Sequence, residues 1–210
     1  ACLNTLPVPE RTRTEELLKR PAKREGIKTP SAVQYVARAG HIKKYYGTYR
    51  ILKVILSYDY LWINLRVKGG AYGCMSGFKR NGESFLVSYR DPHLKRTLEV
   101  YQGVPDYIRA FEADEREMTK YIIGTISNKD VPRTPQMQGS ISKTAYFSNV
   151  TEDMLQKERN QILGAQKEDI QKLAALVEAV LSDDQICVVG SETAIEKAED
   201  VFMEVKPLIG

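Results

Sequence analysis

The chain has 210 residues, enough for one large domain or two small ones with a real core. Hydrophobic residues make up 42% and charged residues 28%, an ordinary balance for a soluble globular protein, and the net charge of +4 permits a basic patch without marking a dedicated nucleic-acid binder. Cys2, Cys74 and Cys187 lack metal-type spacing and argue against a disulfide scaffold, which points to a reducing compartment; no apolar run reaches the roughly 18 residues needed to span a bilayer, and no signal-peptide pattern opens the chain.

Residues 1–30 carry Pro7, Pro9, Pro21 and Pro30 among many charges and read as a leader or linker, with one short helix around Thr14–Lys19. A domain is expected over 31–210. "SAVQYVARA" (31–39) sets Val33, Tyr35 and Ala37 against polar neighbours, as a half-buried strand does. From Tyr46 to Leu65, the apolar residues Ile51, Leu52, Val54, Ile55, Leu56, Leu61 and Ile63 cover more than one helical face, which predicts a helix buried on most sides. It is expected to stop at Gly69–Gly70. "AYGCMSGFK" and "ESFLVSYR" then flank Asn81–Gly82, a strong hairpin signal.

Asp91–Pro92 reads as a helix start, with Asp91 as the cap and the helix running towards Glu112 past a weak point at Gly103 to Pro105. Further helices are expected over Asp114–Ser127, Pro135–Ser148, Thr151–Leu163 and Lys167–Leu181. "QICVVG" (185–190) reads as a buried strand, and "SETAIEKAEDVF" (191–202) as a helix capped by Ser191. The expected fold is α/β of the α+β kind, an antiparallel-rich sheet covered by helices.

His41 and His93 have no partner histidine three or four residues away, which rules out a paired-histidine zinc helix in this chain. "GCMSG" lacks the spacing of a nucleophile elbow, and Cys74 has no evident base. The glycines of "GGAYG" do not make a phosphate loop. Such loops run strand, loop, helix, so that helix-start N–H groups face the anion; here the helix comes first and its carbonyl end faces the glycines.

The junction "LRVKGGAYG" supports two readings. Its glycines let another backbone approach, Arg66 on the last helical turn can donate to carbonyl oxygens, Tyr72 adds a hydroxyl donor, and the following strand could pair with an extended peptide. Equally, it reads as a helix stop before a hairpin, with Arg66 suited to the helix C-terminus and Tyr72 packing.

"LRVKGGAYG", then "ESFLVSYRDPHLKRTLEVYQGVPDYIRAF" and "MTKYIIGTISNKD", resemble the last domain of the presequence-protease subfamily of insulinase-type (pitrilysin-type) zinc metallopeptidases, over about Val33 to Val201. The resemblance implies a metallopeptidase-type domain in a long chain whose two halves close around unstructured peptides. It implies zinc in the first domain, on an inverted H-x-x-E-H motif absent from this chain. Arg66 and Tyr72 are implied as the residues contacting the substrate backbone near the scissile bond, with Gly69, Gly70 and Ala71 between them. This chain alone is then expected to bind no metal and to be inactive, its partners being peptide substrates and the zinc-bearing N-terminal half of the same polypeptide, not nucleic acid or membrane. The expected compartment is a bacterial cytoplasm or, in a eukaryote, an organellar matrix. Ala1 in place of Met fits an excised C-terminal domain. The alternative is a non-catalytic structural subunit of the same fold; a nucleic-acid module has only "HIKKYY" in its favour.

Overall fold

The apolar run after Tyr46 forms helix α1 (Thr48–Ile55) in the computed structural model of the chain, which describes residues 23–208. Two wider turns, Leu56–Tyr60 and Trp62–Val67, continue it; here Leu61 N–H donates to Leu56 O and Lys68 N–H to Ile63 O, five residues back rather than four. The buried leucines explain the widening. Leu56, Leu61 and Leu65 are spaced five and four apart, and a wider turn keeps Leu61 on the same side as Leu56. Ile51, Leu52, Ile55, Leu56 and Leu61 are fully buried, whereas Val54 is half-buried and Ile63 exposed.

The strands are β1 (Arg24–Thr29), β2 (Gln34–His41), β3 (Gly73–Phe78), β4 (Glu83–Asp91), β5 (Gln185–Ser191) and β6 (Glu204–Pro207). They form one sheet in the order β3-β4-β2-β5-β1-β6. β2, β3, β4 and β5 pair antiparallel, while β1 runs parallel to both β5 and β6. The hairpin at Asn81–Gly82 is present. Gly82, at φ 96°, supplies the left-handed residue that closes its short loop, with Gly82 N–H donating to Lys79 O and Lys79 N–H to Glu83 O.

The other helices are α2 (Lys95–Gln102), α3 (Val104–Arg109), α4 (Glu115–Lys129), α5 (Pro135–Phe147), α6 (Glu152–Leu163), α7 (Lys167–Gln171), α8 (Leu173–Ser182) and α9 (Glu192–Glu196). Asp114 and Glu117 form a capping box on α4, and the Thr134, Thr151 and Ser191 hydroxyls accept the N–H groups of Met137, Met154 and Ala194.

Several boundaries differ from the sequence reading. Arg24–Thr29, placed in the leader, is a strand of the sheet; "REGIKT" has little apolar periodicity, and its burial comes from distant neighbours, Ile195 and Phe202 closing over Gly26. The Thr14–Lys19 helix lies outside the described residues. Asp91 does not cap α2. It ends β4, accepting from His93 N–H through Oδ1 and from the Thr97 hydroxyl through Oδ2, and the helix begins only at Lys95. The expected weak point at Gly103 is a break between α2 and α3, where the Tyr60 hydroxyl occupies the space a Cβ would need. The helix expected over 191–202 stops after α9, a 3₁₀ turn at Glu199–Val201 follows, and β6 had no sequence signal.

Helices cover one face of the sheet, that of Val36, Leu86, Ser88, Ile186 and Val188. The opposite face, which includes Tyr35, Ala37, Met75, Phe85, Val87, Tyr89 and Cys187, is half-buried or exposed and carries no helix among the described residues. Helix α5 projects between α4 and α6 with no buried side chain, exposing Met137, Ile141, Tyr146 and Phe147.

Glu158, only 2% exposed, ties α6 to three other elements: its Oε1 accepts from Arg50 Nε at 2.6 Å and Lys129 Nζ at 2.9 Å, and its Oε2 accepts from Arg80. Burial pushes its pKa up, but the Lys129 hydrogen bond and the charges of Arg50, Lys129 and Arg80 outweigh this and leave it below the ordinary value. A depressed folded pKa contributes stability above the unfolded value and loses it as pH falls through the folded one. Replacing Glu158 with Gln should cost about 2 kcal/mol at neutral pH in urea unfolding, towards the low side for a broken buried pair because Arg50 is half-exposed. The difference between wild type and variant should shrink as pH falls below the usual glutamate value of 4.5; a difference unchanged down to acid pH would refute the assignment.

Candidate functional site

The widened turn Trp62–Val67 delivers Arg66 to the surface, where its guanidinium lies 4.1 Å from the centre of the Trp62 ring, four residues earlier. The backbone then reverses. Gly70 N–H donates to Arg66 O and Ala71 N–H to Leu65 O, and the Arg96 guanidinium donates to Lys68 O. Gly69 is buried, and a Cβ there would lie 2.4 Å from the Leu65 carbonyl oxygen; Gly70 has φ 77°. Both glycines are therefore demanded by the reversal itself. Ala71 is buried and anchors the turn.

Tyr72 follows at the entrance to β3, its N–H donating to Arg90 O across the sheet. Its side chain is 60% exposed. The ring packs 5.7 Å from the Tyr89 ring, and the Arg90 guanidinium lies 5.3 Å from its centre. Among the described residues the Tyr72 hydroxyl has no hydrogen-bond partner. Because Tyr89 belongs to the uncovered face, that hydroxyl stands at the margin of the face. Arg66 is close enough to act on Cys74, two residues further along β3: burial pushes the Cys74 thiol up, and the Arg66 charge pulls it partly back.

The two predicted donors are thus both exposed at one helix-to-strand junction. Sequence reading missed the groups that hold them. Arg90 sits at φ 50°, an uncommon conformation for a residue with a side chain, and lies over Tyr72. Trp62 braces Arg66, and Tyr89 leaves room only for a glycine at position 73, since a Cβ there would lie 2.4 Å from its hydroxyl oxygen and 2.5 Å from its ring. The motif "SYRDP" contained Tyr89 and Arg90, but nothing in their spacing shows that they support Tyr72. Among the described residues, no three His, Cys, Asp or Glu side chains come together as a metal site.

A family model described as the PreP C-terminal domain matches residues 24–192. The chain belongs to this family. It is 48% identical to "Protein HypA" of Clostridium perfringens over 191 residues, covering 89% of this chain and 20% of that protein. It is 33% identical to presequence protease 1, chloroplastic/mitochondrial, of Arabidopsis thaliana over 194 residues, covering 89% and 18%. The chain therefore spans about a fifth of the length of these relatives. The fold is that of the peptidase M16 domains: the crystal structure of a peptidase M16 inactive domain from Pseudomonas fluorescens matches with a TM-score of 0.58 at 17% identity, over 89% of this chain and 43% of that one. Pitrilysin matches with a TM-score of 0.55 at 16% identity, over 79% of this chain and 19% of its own.

The junction makes a ranked prediction. Gly70→Ala should destabilise the chain by about 1 kcal/mol, the strain of a left-handed residue with a side chain. Gly69→Ala should cost more, because its methyl group meets backbone rather than a movable side chain. Chemical denaturation of the two variants gives the order, and equal midpoints would contradict it.

Proposed function

We propose that this chain is the substrate-contacting C-terminal domain of a longer zinc-dependent oligopeptidase, which hydrolyses unstructured peptides inside a closed chamber. The observation that carries the reading is the exposed Tyr72 hydroxyl, without a hydrogen-bond partner among the described residues, at the same helix-to-strand junction as the exposed Arg66 and at the margin of a largely apolar sheet face that no described helix covers. Such a face suits a chamber wall, and the projecting α5, with nothing buried on it, suits contact with the other domains of the polypeptide. Family membership and the length of the relatives support the same view.

The metal in this reading belongs to the N-terminal half of the polypeptide. The residues here act on the peptide. Arg66, held by the Trp62 ring, donates to main-chain carbonyl oxygens and sets the peptide's register. The Tyr72 O–H points at oxygen that gains charge as the scissile carbonyl becomes tetrahedral, a contribution of about 3 kcal/mol for a placed donor. Gly70, exposed, keeps a side chain out of the peptide's path, while buried Gly69 lets the chain reverse tightly beneath it. β3 is the edge strand, with its outer side unpaired among the described residues, and can take an extended peptide by strand addition. Main-chain contacts of this kind select extended conformation over sequence. The proposed compartment is a bacterial cytoplasm or an organellar matrix, in keeping with the free thiols of Cys74 and Cys187 and with relatives named for mitochondria and chloroplasts. No helix among the described residues is long and apolar enough to cross a membrane.

In the full-length protein, Tyr72→Phe deletes the hydroxyl and keeps the ring on Tyr89. It should lower kcat on an unstructured peptide by about 10²-fold with KM little changed. Arg66→Ala should raise KM by about 10-fold, the loss of one charge-assisted hydrogen bond. Unchanged turnover in Tyr72→Phe would reduce the tyrosine to packing. A full reading frame without an H-x-x-E-H motif would instead make the protein a structural subunit of the same fold.

A further inference from the structure

Away from the Arg66–Tyr72 junction, a cavity of about 310 Å³ opens between α1 and the β3–β4 hairpin. Its walls combine two kinds of group. Tyr45, Tyr49, Phe78 and Phe85 supply rings, with Tyr49 stacked on Phe78 at 5.0 Å. Arg50, Lys53, Lys79 and Arg80 supply positive charge.

Charge around this cavity does not balance. Lys79 is paired with Glu83 at 2.7 Å, and Glu158 is shared by Arg50, Arg80 and Lys129. Lys53 has no carboxylate within 4.0 Å among the described residues. The cavity's own four cations, Arg50, Lys53, Lys79 and Arg80, therefore meet two carboxylates, one of them shared with Lys129, an excess of at least two. Arg50 gives Glu158 its Nε and also meets Tyr45, whereas Arg80 gives Glu158 one Nη and keeps the rest of its guanidinium fork for another acceptor.

A second observation is independent of charge. Two residues lining the cavity, Tyr49 at 1% exposure and Ser76 at 2%, carry buried hydroxyl oxygens with no hydrogen-bond partner among the described residues. A buried hydroxyl left unpaired is destabilising, and a polar ligand would relieve that cost. Burial pushes the Tyr49 phenol up, so it is a neutral donor at physiological pH.

We propose that this cavity binds a phosphate group, free or carried on a small molecule. An excess of two charges and two hydroxyl donors exceeds what a carboxylate, with one charge and two oxygens, can satisfy. A phosphate brings up to two negative charges and several acceptor oxygens, and arginine forks match it in pairs. The aromatic walls then favour a phosphate carried on a planar ring. Binding here is separate from peptide contact at Tyr72 and does not depend on that function.

The test is a calorimetric titration of the 210-residue chain at constant ionic strength with inorganic phosphate, phenyl phosphate and acetate. One saturable phosphate site per chain is expected, with phenyl phosphate tighter than inorganic phosphate if the rings contribute, and acetate weaker than both. Lys53→Gln, at an exposed position, and Ser76→Ala, which removes an unpaired hydroxyl, should each fold and each weaken phosphate binding about 10-fold. Their melting temperatures establish folding. Absence of saturable binding, acetate binding as tightly as phosphate, or wild-type affinity in both folded variants would overturn the proposal.

Discussion

Burial of one side of the long helix from Thr48 to Val67 is the constraint on which the junction and its surroundings depend. Ile51, Leu52, Ile55, Leu56, Leu61 and Leu65 lie at or near zero exposure, and each such side chain contributes about 1.5–3 kcal/mol when fully removed from water. That sum exceeds anything the surface ion pairs can supply, since an exposed pair is worth about 1 kcal/mol or less. The helix consequently lies against β3, α4, α6 and α7, and its hydrogen bonding widens where the leucine spacing demands it. Its end is then placed beside the edge strand. From there the chain has five residues between Arg66 and Tyr72 in which to reverse, and only glycine suits both the close approach at 69 and the positive φ at 70.

Polar groups refine this arrangement. Glu158 sits where α1, α4, α6 and the hairpin loop converge, and its three cations come from positions 50, 80 and 129. One carboxylate cannot neutralise three cations. The same economy that joins four elements leaves positive charge beside the cavity at the edge of β3. On the other side of the sheet, no helix among the described residues covers Met75, Val87, Ala37 and Cys187, which lie in register across four strands. An antiparallel-rich sheet tolerates this because helices bury its other face, where Val36, Leu86, Ser88, Ile186 and Val188 lie.

Legibility followed the range of the forces involved. The hairpin at Asn81–Gly82, the helix starts at Asp114, Pro135 and Thr151, the Ser191 cap and the break at Gly103 were all readable, because each depends on backbone geometry within a few residues. β1 and β6 were not. "REGIKT" and "EVKP" carry too few apolar residues to announce strands, and they become strands by pairing with β5 and with each other across more than 150 residues. Asp91 was read as a cap because Asp-Pro opens many helices; its carboxylate instead holds the turn after β4 through His93 and Thr97.

By itself the sequence determined the helix-turn-strand order around Arg66 and Tyr72, the glycines between them, the hairpin, and a motif set specific enough for the family. Those features are local, and local conformational preferences decide them. Tertiary structure alone decided that Tyr72 is exposed with Arg90 and Tyr89 on its ring, that Trp62 braces Arg66, that one sheet face is open, and that Glu158 gathers three cations. Each of these depends on which distant residues share a neighbourhood, and a linear pattern carries no record of that until the buried side of the long helix has chosen its partners.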